Sequence, residues 1–130
     1  MAELKELAKA KPYFDGVYSD LLNMEKSPKL SDIVGKISDF VLREGKSMST
    51  SQLRNIYARI KKADSPGEMQ LLRPLLAYTS ARQKGEGGKI VIALLDDLIQ
   101  KANNDSQVKS LRTFAEAIVA YHKYHHPKQS

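Results

Sequence analysis

Apolar residues recur at helical spacing along most of the chain. No stretch alternates apolar with polar over five or more residues, so the pattern predicts helices and no stable sheet. Ile33, Val34, Ile37, Phe40 and Val41 form one apolar stripe and predict a helix over 31–44. Ser31 suits its N-cap, and Gly45 suits a stop with positive φ. Leu53, Ile56, Tyr57 and Ile60 predict a second helix over 50–62, opened by a capping box of Ser49 with Gln52. Ser65, Pro66 and Glu68 signal a third start, and the apolar pattern continues through Met69, Leu72, Leu75, Leu76 and Thr79 to about 84. Pro74 lies inside that pattern. It lacks a backbone donor and clashes with the preceding turn, so a kink or break is expected over 71–73.

Gly85, Glu86, Gly87 and Gly88 read as a flexible loop, followed by a helix over 89–102 with Val91, Leu94, Leu95 and Leu98 inward. The last and longest helix starts near Asp105 or Ser106 and ends before Pro127. Val108, Leu111, Phe114, Ala115, Ile118, Val119 and His122 share its apolar face. Residues 1–28 are less regular. Phe14, Val17, Tyr18, Leu21 and Leu22 have helical spacing, but Pro12 and Gly16 interrupt it. This reads as a helical arm packed on the rest, with the first ten or so residues loose. The expected architecture is all-α, one domain over 1–130. It is an antiparallel bundle of about five helices whose core is 29–126 and whose N-terminal arm is 1–28.

Composition narrows the chemistry. The chain has 130 residues and no cysteine, which excludes disulfides, thiolate catalysis and cysteine-held metal clusters. The longest apolar run, Ile90 to Leu95, is far short of a membrane span. The N-terminus has no apolar segment of the secretory kind, so a soluble, cytoplasmic protein is expected with no membrane partner. The formal charge is +6, and its distribution matters more than its size. Residues 43–89 hold ten Lys or Arg against four Asp or Glu, while the rest of the chain balances at eleven each. A localised excess of that kind attracts polyanions.

Candidate catalytic patterns fail on their own requirements. Gly85-Glu86-Gly87-Gly88-Lys89 has no preceding strand, the wrong spacing for a P-loop, and Ile90 where Ser or Thr is needed. His122 and His126 stand at i, i+4, a metal-ligating spacing, but no carboxylate accompanies them. His122 projects from the apolar face and reads first as a buried structural histidine. Asp96 and Asp97 are adjacent on a helix and do not face one another. No serine has the setting of a nucleophile elbow. The residues therefore point to no enzyme, no cofactor and no metal site. Tyr78 stands among arginines, a setting suited to base stacking, whereas Tyr57 lies on its helix's apolar stripe and reads as packing.

Three ordered segments carry a resemblance. Ser49-Thr50-Ser51-Gln52-Leu53-Arg54 opens a basic helix. Leu72-Arg73-Pro74-Leu75-Leu76-Ala77-Tyr78-Thr79-Ser80-Ala81-Arg82 carries a proline and an Ala-Tyr-x-x-x-Arg tail. Phe114-Ala115-Glu116-Ala117-Ile118-Val119-Ala120-Tyr121-His122-Lys123 closes the set. Over roughly 30–125 the chain resembles the small, all-helical subunit of the type III-A CRISPR effector, the Csm complex. The resemblance implies a non-catalytic scaffold that self-associates and lines the groove where guide RNA pairs with target RNA. The other subunits of that complex are its implied partners.

On the residues that match, Gln52, Arg54, Arg73, Tyr78, Arg82 and Lys123 are implied to contact RNA. Arg59, Lys61, Lys62 and Lys84 join them from the basic segment. The arm before Ser31 departs from the family pattern. Three rival readings stand beside this one. The first is the small subunit of the related type III-B complex. The second is a free-standing DNA- or RNA-binding helical module presenting Ser51, Gln52 and Asn55. The third is a ribonuclease using His122 or His125, for which no partner acid or base is visible.

Overall fold

A computed structural model describes residues 5–129. Seven α-helices follow in order: α1 (Lys5–Ala10), α2 (Leu30–Glu44), α3 (Thr50–Lys62), α4 (Pro66–Gln70), α5 (Arg73–Ala81), α6 (Glu86–Lys101) and α7 (Asp105–His125). Two 3₁₀ segments, Lys11–Phe14 and Tyr18–Lys26, join α1 to α2. Among the described residues there is no strand.

The all-helical expectation is met; among the described residues there are seven α-helices, where about five with an N-terminal helical arm are expected from the sequence. Part of the difference is Pro74. Its missing N–H and fixed φ suit a first turn, so the chain ends α4 at Gln70 and restarts α5 at Arg73 with the proline at its opening. Ser49 and Ser65 cap α3 and α4 as expected. Each hydroxyl oxygen accepts the backbone N–H three residues on, from Gln52 at 3.0 Å and from Glu68 at 3.1 Å.

Three local expectations are corrected. Ser31 lies inside the first turn of α2, whose N-cap is Lys29 and has no side-chain cap. Gly45 ends α2 with φ of −87°, not a positive value. What Gly45 supplies is room, since a Cβ there would meet the Val41 carbonyl oxygen at 2.8 Å and the His122 ring at 3.0 Å. The glycine loop before 89 is helical from Glu86. At Gly87 an added Cβ would lie 2.1 Å from the Glu44 carbonyl oxygen, so the glycine lets α6 start against the end of α2.

The arm is less loose than its composition implies. Lys5 to Ala10 are helical, with Leu7 and Ala10 buried, and α1 packs on α6. The remainder of the loose segment, residues 1–4, lies outside the described residues. Phe14, Val17, Leu21 and Met24 enter the same apolar cluster as the later helices. Phe14 meets Phe40 at 5.3 Å and Phe114 at 6.0 Å, edge to face, and so ties the arm to α2 and α7. α6 carries the apolar run Ile90 to Leu95, and every one of those residues is buried. A helix that is apolar on nearly all sides must be covered on all of them. α1, α2 and α5 do this, with α4 and α7 adding smaller contacts.

Candidate nucleic-acid interface

α3 and α7 run antiparallel with a polar seam. Thr50 Oγ1 lies 2.9 Å from His122 Nδ1, the Tyr57 hydroxyl donates to Glu116 at 2.8 Å, and Arg112 donates to the Ala63 carbonyl. The hydrogen bond to Glu116, with some burial, pushes the Tyr57 hydroxyl's pKa up, so it stays a donor. The Tyr57–Glu116 bond fixes which faces border the seam. Arg54 and Lys61 flank Tyr57 on one rim of α3. Lys123 is two turns beyond Glu116 on the same face of α7. Lys123, Arg54 and Lys61 therefore follow one another along the seam. Arg54 and Lys61 are about 10 Å apart along the helix axis. All three are exposed. Among the described residues none of them has an ion pair.

The opposite rim of α3 faces α5. Gln52 and Asn55 of α3, Leu75, Tyr78 and Thr79 of α5, and Arg82 just past its end line a notch of about 100 Å³. Tyr78 and Arg82 are one turn apart, and the Arg82 guanidinium stands 5.5 Å from the Tyr78 ring centre, a cation–π distance. Gln83 donates to Gln52 Oε1 at 3.0 Å and to the Thr79 carbonyl at 3.0 Å, which locks α3 to α5 at the notch wall. Arg59 continues the Gln52–Asn55 line one turn on, and Lys62 points outward between the two rims. Lys84 follows the end of α5, exposed.

The fold thus gathers the expected residues into two groups, Arg54, Lys61 and Lys123 on the seam and Gln52, Tyr78 and Arg82 at the notch. Arg73 belongs to neither. Its guanidinium forks onto Asp96 of α6, at 3.0 and 3.4 Å, and holds α5 to α6. Asn55 is a notch residue absent from the expected contact set. The sequence raises it only in the rival reading of a free-standing module, beside Ser51 and Gln52.

The histidines serve the scaffold. His122 is fully buried, with Nε2 donating to the Gly45 carbonyl at 2.9 Å and Nδ1 on Thr50. Burial pulls its pKa below the usual imidazole value, against the upward pull of the hydrogen bonds to the Gly45 and Met48 backbone. His125 bonds Ser38 at 2.8 Å, and His126 reaches the Val41 and Leu42 carbonyls at 3.2 Å each. The three rings fasten the end of α7 to α2. Among the described residues no group of three or more His, Cys, Asp or Glu is placed to hold a metal. Likewise, no helix is long and apolar enough to cross a membrane.

Comparison with protein families finds a match over residues 24–128 to the model described as Csm2 Type III-A. No curated protein and no solved structure matches the chain. The family match takes in the seam, the notch and all three histidines, and leaves most of the N-terminal arm outside.

Proposed function

The chain belongs to the type III-A Csm2 family and is a small subunit of a type III-A CRISPR complex, and from that premise we propose that it is a non-catalytic, RNA-contacting scaffold. Family membership brings the other Csm subunits as partners. It favours the type III-A assembly over the type III-B one and over a free-standing module. The observation that carries the RNA reading is the seam. Lys123, Arg54 and Lys61 are three exposed cations in a row with no carboxylate partner among the described residues. Unpaired cations on a rigid helix pair are ready for phosphates, because no internal ion pair must break first. Arg59, Lys62, Arg82 and Lys84 extend the positive surface on the notch side.

In this reading guide–target pairing supplies sequence specificity, and the subunit supplies charge and shape. Its contacts go to the backbones of guide and target RNA. Arg73, held by Asp96, acts through the packing of α5 on α6 rather than on RNA. Self-association in several copies along a cytoplasmic complex comes from the family resemblance. Light scattering of the purified chain across concentration tests it.

A salt titration of RNA affinity tests the backbone reading. If about three phosphates are neutralised, log K falls against log salt with a slope near −2 on a single strand. A slope near zero, or strong discrimination between base sequences of one length, overturns it.

A further inference from the structure

We propose that the notch between α3 and α5 seats a single unpaired nucleobase, stacked against Tyr78 and Arg82 and met at its edge by the Gln52 and Asn55 amides. This rests on the RNA-contacting reading above and adds to it a base site distinct from the phosphate track of the seam.

Tyr78 and Tyr124 are the two largely exposed tyrosines among the described residues, and of these two Tyr78 is the one with a guanidinium over its ring. Tyr13, Tyr18 and Tyr57 are half-buried, and each donates its hydroxyl to a carboxylate, of Glu44, Asp97 and Glu116 respectively. Those three are packing residues with a satisfied polar tip. Tyr78 is 61% exposed, and among the described residues its hydroxyl has no partner. Its ring is not idle, because Arg82 stands over it at 5.5 Å. An exposed ring already oriented by a guanidinium offers a flat surface that costs little ordering on binding. Either free face, of the ring or of the guanidinium plane, takes a base by stacking.

The walls suit a base edge. Gln83 occupies Gln52 Oε1, which fixes the Gln52 amide and leaves its NH₂ to donate. Among the described residues the Asn55 side chain is unpartnered, so it offers a donor and an acceptor. Thr79 spends its hydroxyl on the Leu75 carbonyl at 2.8 Å, so it and Leu75 give a quiet floor. A notch of about 100 Å³ admits the edge of one base and not a whole nucleotide, which leaves sugar and phosphate outside beside Arg82. A base within a perfect duplex cannot enter, because its faces are stacked and its edge is paired. The ligand is therefore a nucleotide that lacks a pairing partner.

The test uses the purified full chain and two RNA duplexes, one perfect and one carrying a single bulged 2-aminopurine. The wild type is expected to bind the bulged duplex about tenfold more tightly and to quench its fluorescence by stacking. Tyr78→Ala should abolish both the gain and the quenching, while affinity for the perfect duplex and its salt slope stay unchanged. Tyr78→Phe, which keeps the ring, should retain both. The base site is overturned if the bulge brings no gain, or if Tyr78→Ala weakens both duplexes equally. RNA binding then stands on the seam alone. If the wild type binds neither duplex, the RNA-contacting reading itself falls, and the base site with it.

Discussion

The Nε2–H of His122, on the last turns of α7, donates to the carbonyl oxygen of Gly45 at 2.9 Å, where α2 ends. That carbonyl sits at a helix C-terminus, and the buried imidazole gives it a partner that water cannot. Thr50 engages the other ring nitrogen, and the Thr50 N–H donates to the Gln129 carbonyl at 3.0 Å. The His122 ring thus joins the end of α2 to the start of α3, and Thr50 carries the link on to the C-terminal segment.

This arrangement makes stability pH-dependent in one direction. Burial holds the folded pKa of His122 below its ordinary value of 6.5, so the unfolded chain binds the proton more tightly. Stability contributed by the neutral ring is complete well above that value and is lost as pH falls through it. The His126 ring, centred 5.3 Å away, adds to the cost of a charge there. Melting temperatures measured from pH 8 to pH 5 should be level at first and then decline. In His122→Gln the midpoint should start lower and the decline should shrink. A wild-type profile that stays level to pH 5 would refute the assignment.

How far the fold was readable depended on the range of the determining interaction. Ser49 and Ser65 meet their capping partners within one turn, and Pro74 acts on its own backbone, so those features stand in the sequence. Gly87 does not. Its glycine is needed because the Glu44 carbonyl approaches from a distant helix, and by local rules alone two nearby glycines read as a loop. The packing of the arm around Phe14 was legible, but the order of Lys5–Ala10 was not, because Leu7 and Ala10 are buried where α1 packs on α6, far along the chain. Among the candidate site residues, the stripe of cations on α3 was legible from helical spacing. The pairing of Arg73 with Asp96 and the meeting of Gln52 with Tyr78 were not, because each joins two helices.

Gly87→Ala provides a stability prediction. A Cβ there would lie 2.1 Å from the backbone oxygen of Glu44, and a backbone atom in a packed helix end has little freedom to withdraw. Overpacking of this kind costs about 1–3 kcal/mol or more. Urea titration of Gly87→Ala should show a clearly lower midpoint. Gly35→Ala is the control, since nothing lies within 4 Å of a Cβ at that exposed position and alanine favours the helix. A Gly87→Ala midpoint equal to the wild type would show that α6 does not need the close approach.

Arg73 separates structural from RNA-contacting arginines. Its pair with Asp96 is partly exposed, with side chains 38% and 25% accessible, so its net worth is about 0.5–1 kcal/mol after solvent screening. Arg73→Ala and Asp96→Asn should lower the melting temperature by similar small amounts, and the double variant by little more. RNA affinity, read at a temperature where all variants are folded, should hold within about twofold. A larger loss of RNA affinity for Arg73→Ala than for Asp96→Asn would move Arg73 into the contact set.

The seam makes the strongest prediction, because there the structure separates binding from folding. Arg54, Lys61 and Lys123 are exposed and have no ion pair among the described residues, so their removal breaks none. Surface substitutions of this sort shift stability by less than about 0.5 kcal/mol each. Each lost phosphate contact, in contrast, weakens binding and flattens the salt slope by nearly one unit. Arg54→Ala, Lys61→Ala and Lys123→Ala combined should leave the helical signal and melting curve close to wild type. RNA affinity should drop well beyond tenfold, and the slope of log K against log salt should approach zero. Tyr57→Phe is the internal control, since it removes only the hydroxyl that bonds Glu116, between the cations. It should cost a little stability while the salt slope remains. A triple variant that melts early would mean that these cations hold the helices together. One that folds normally and keeps its salt slope would place the phosphate track elsewhere on the molecule.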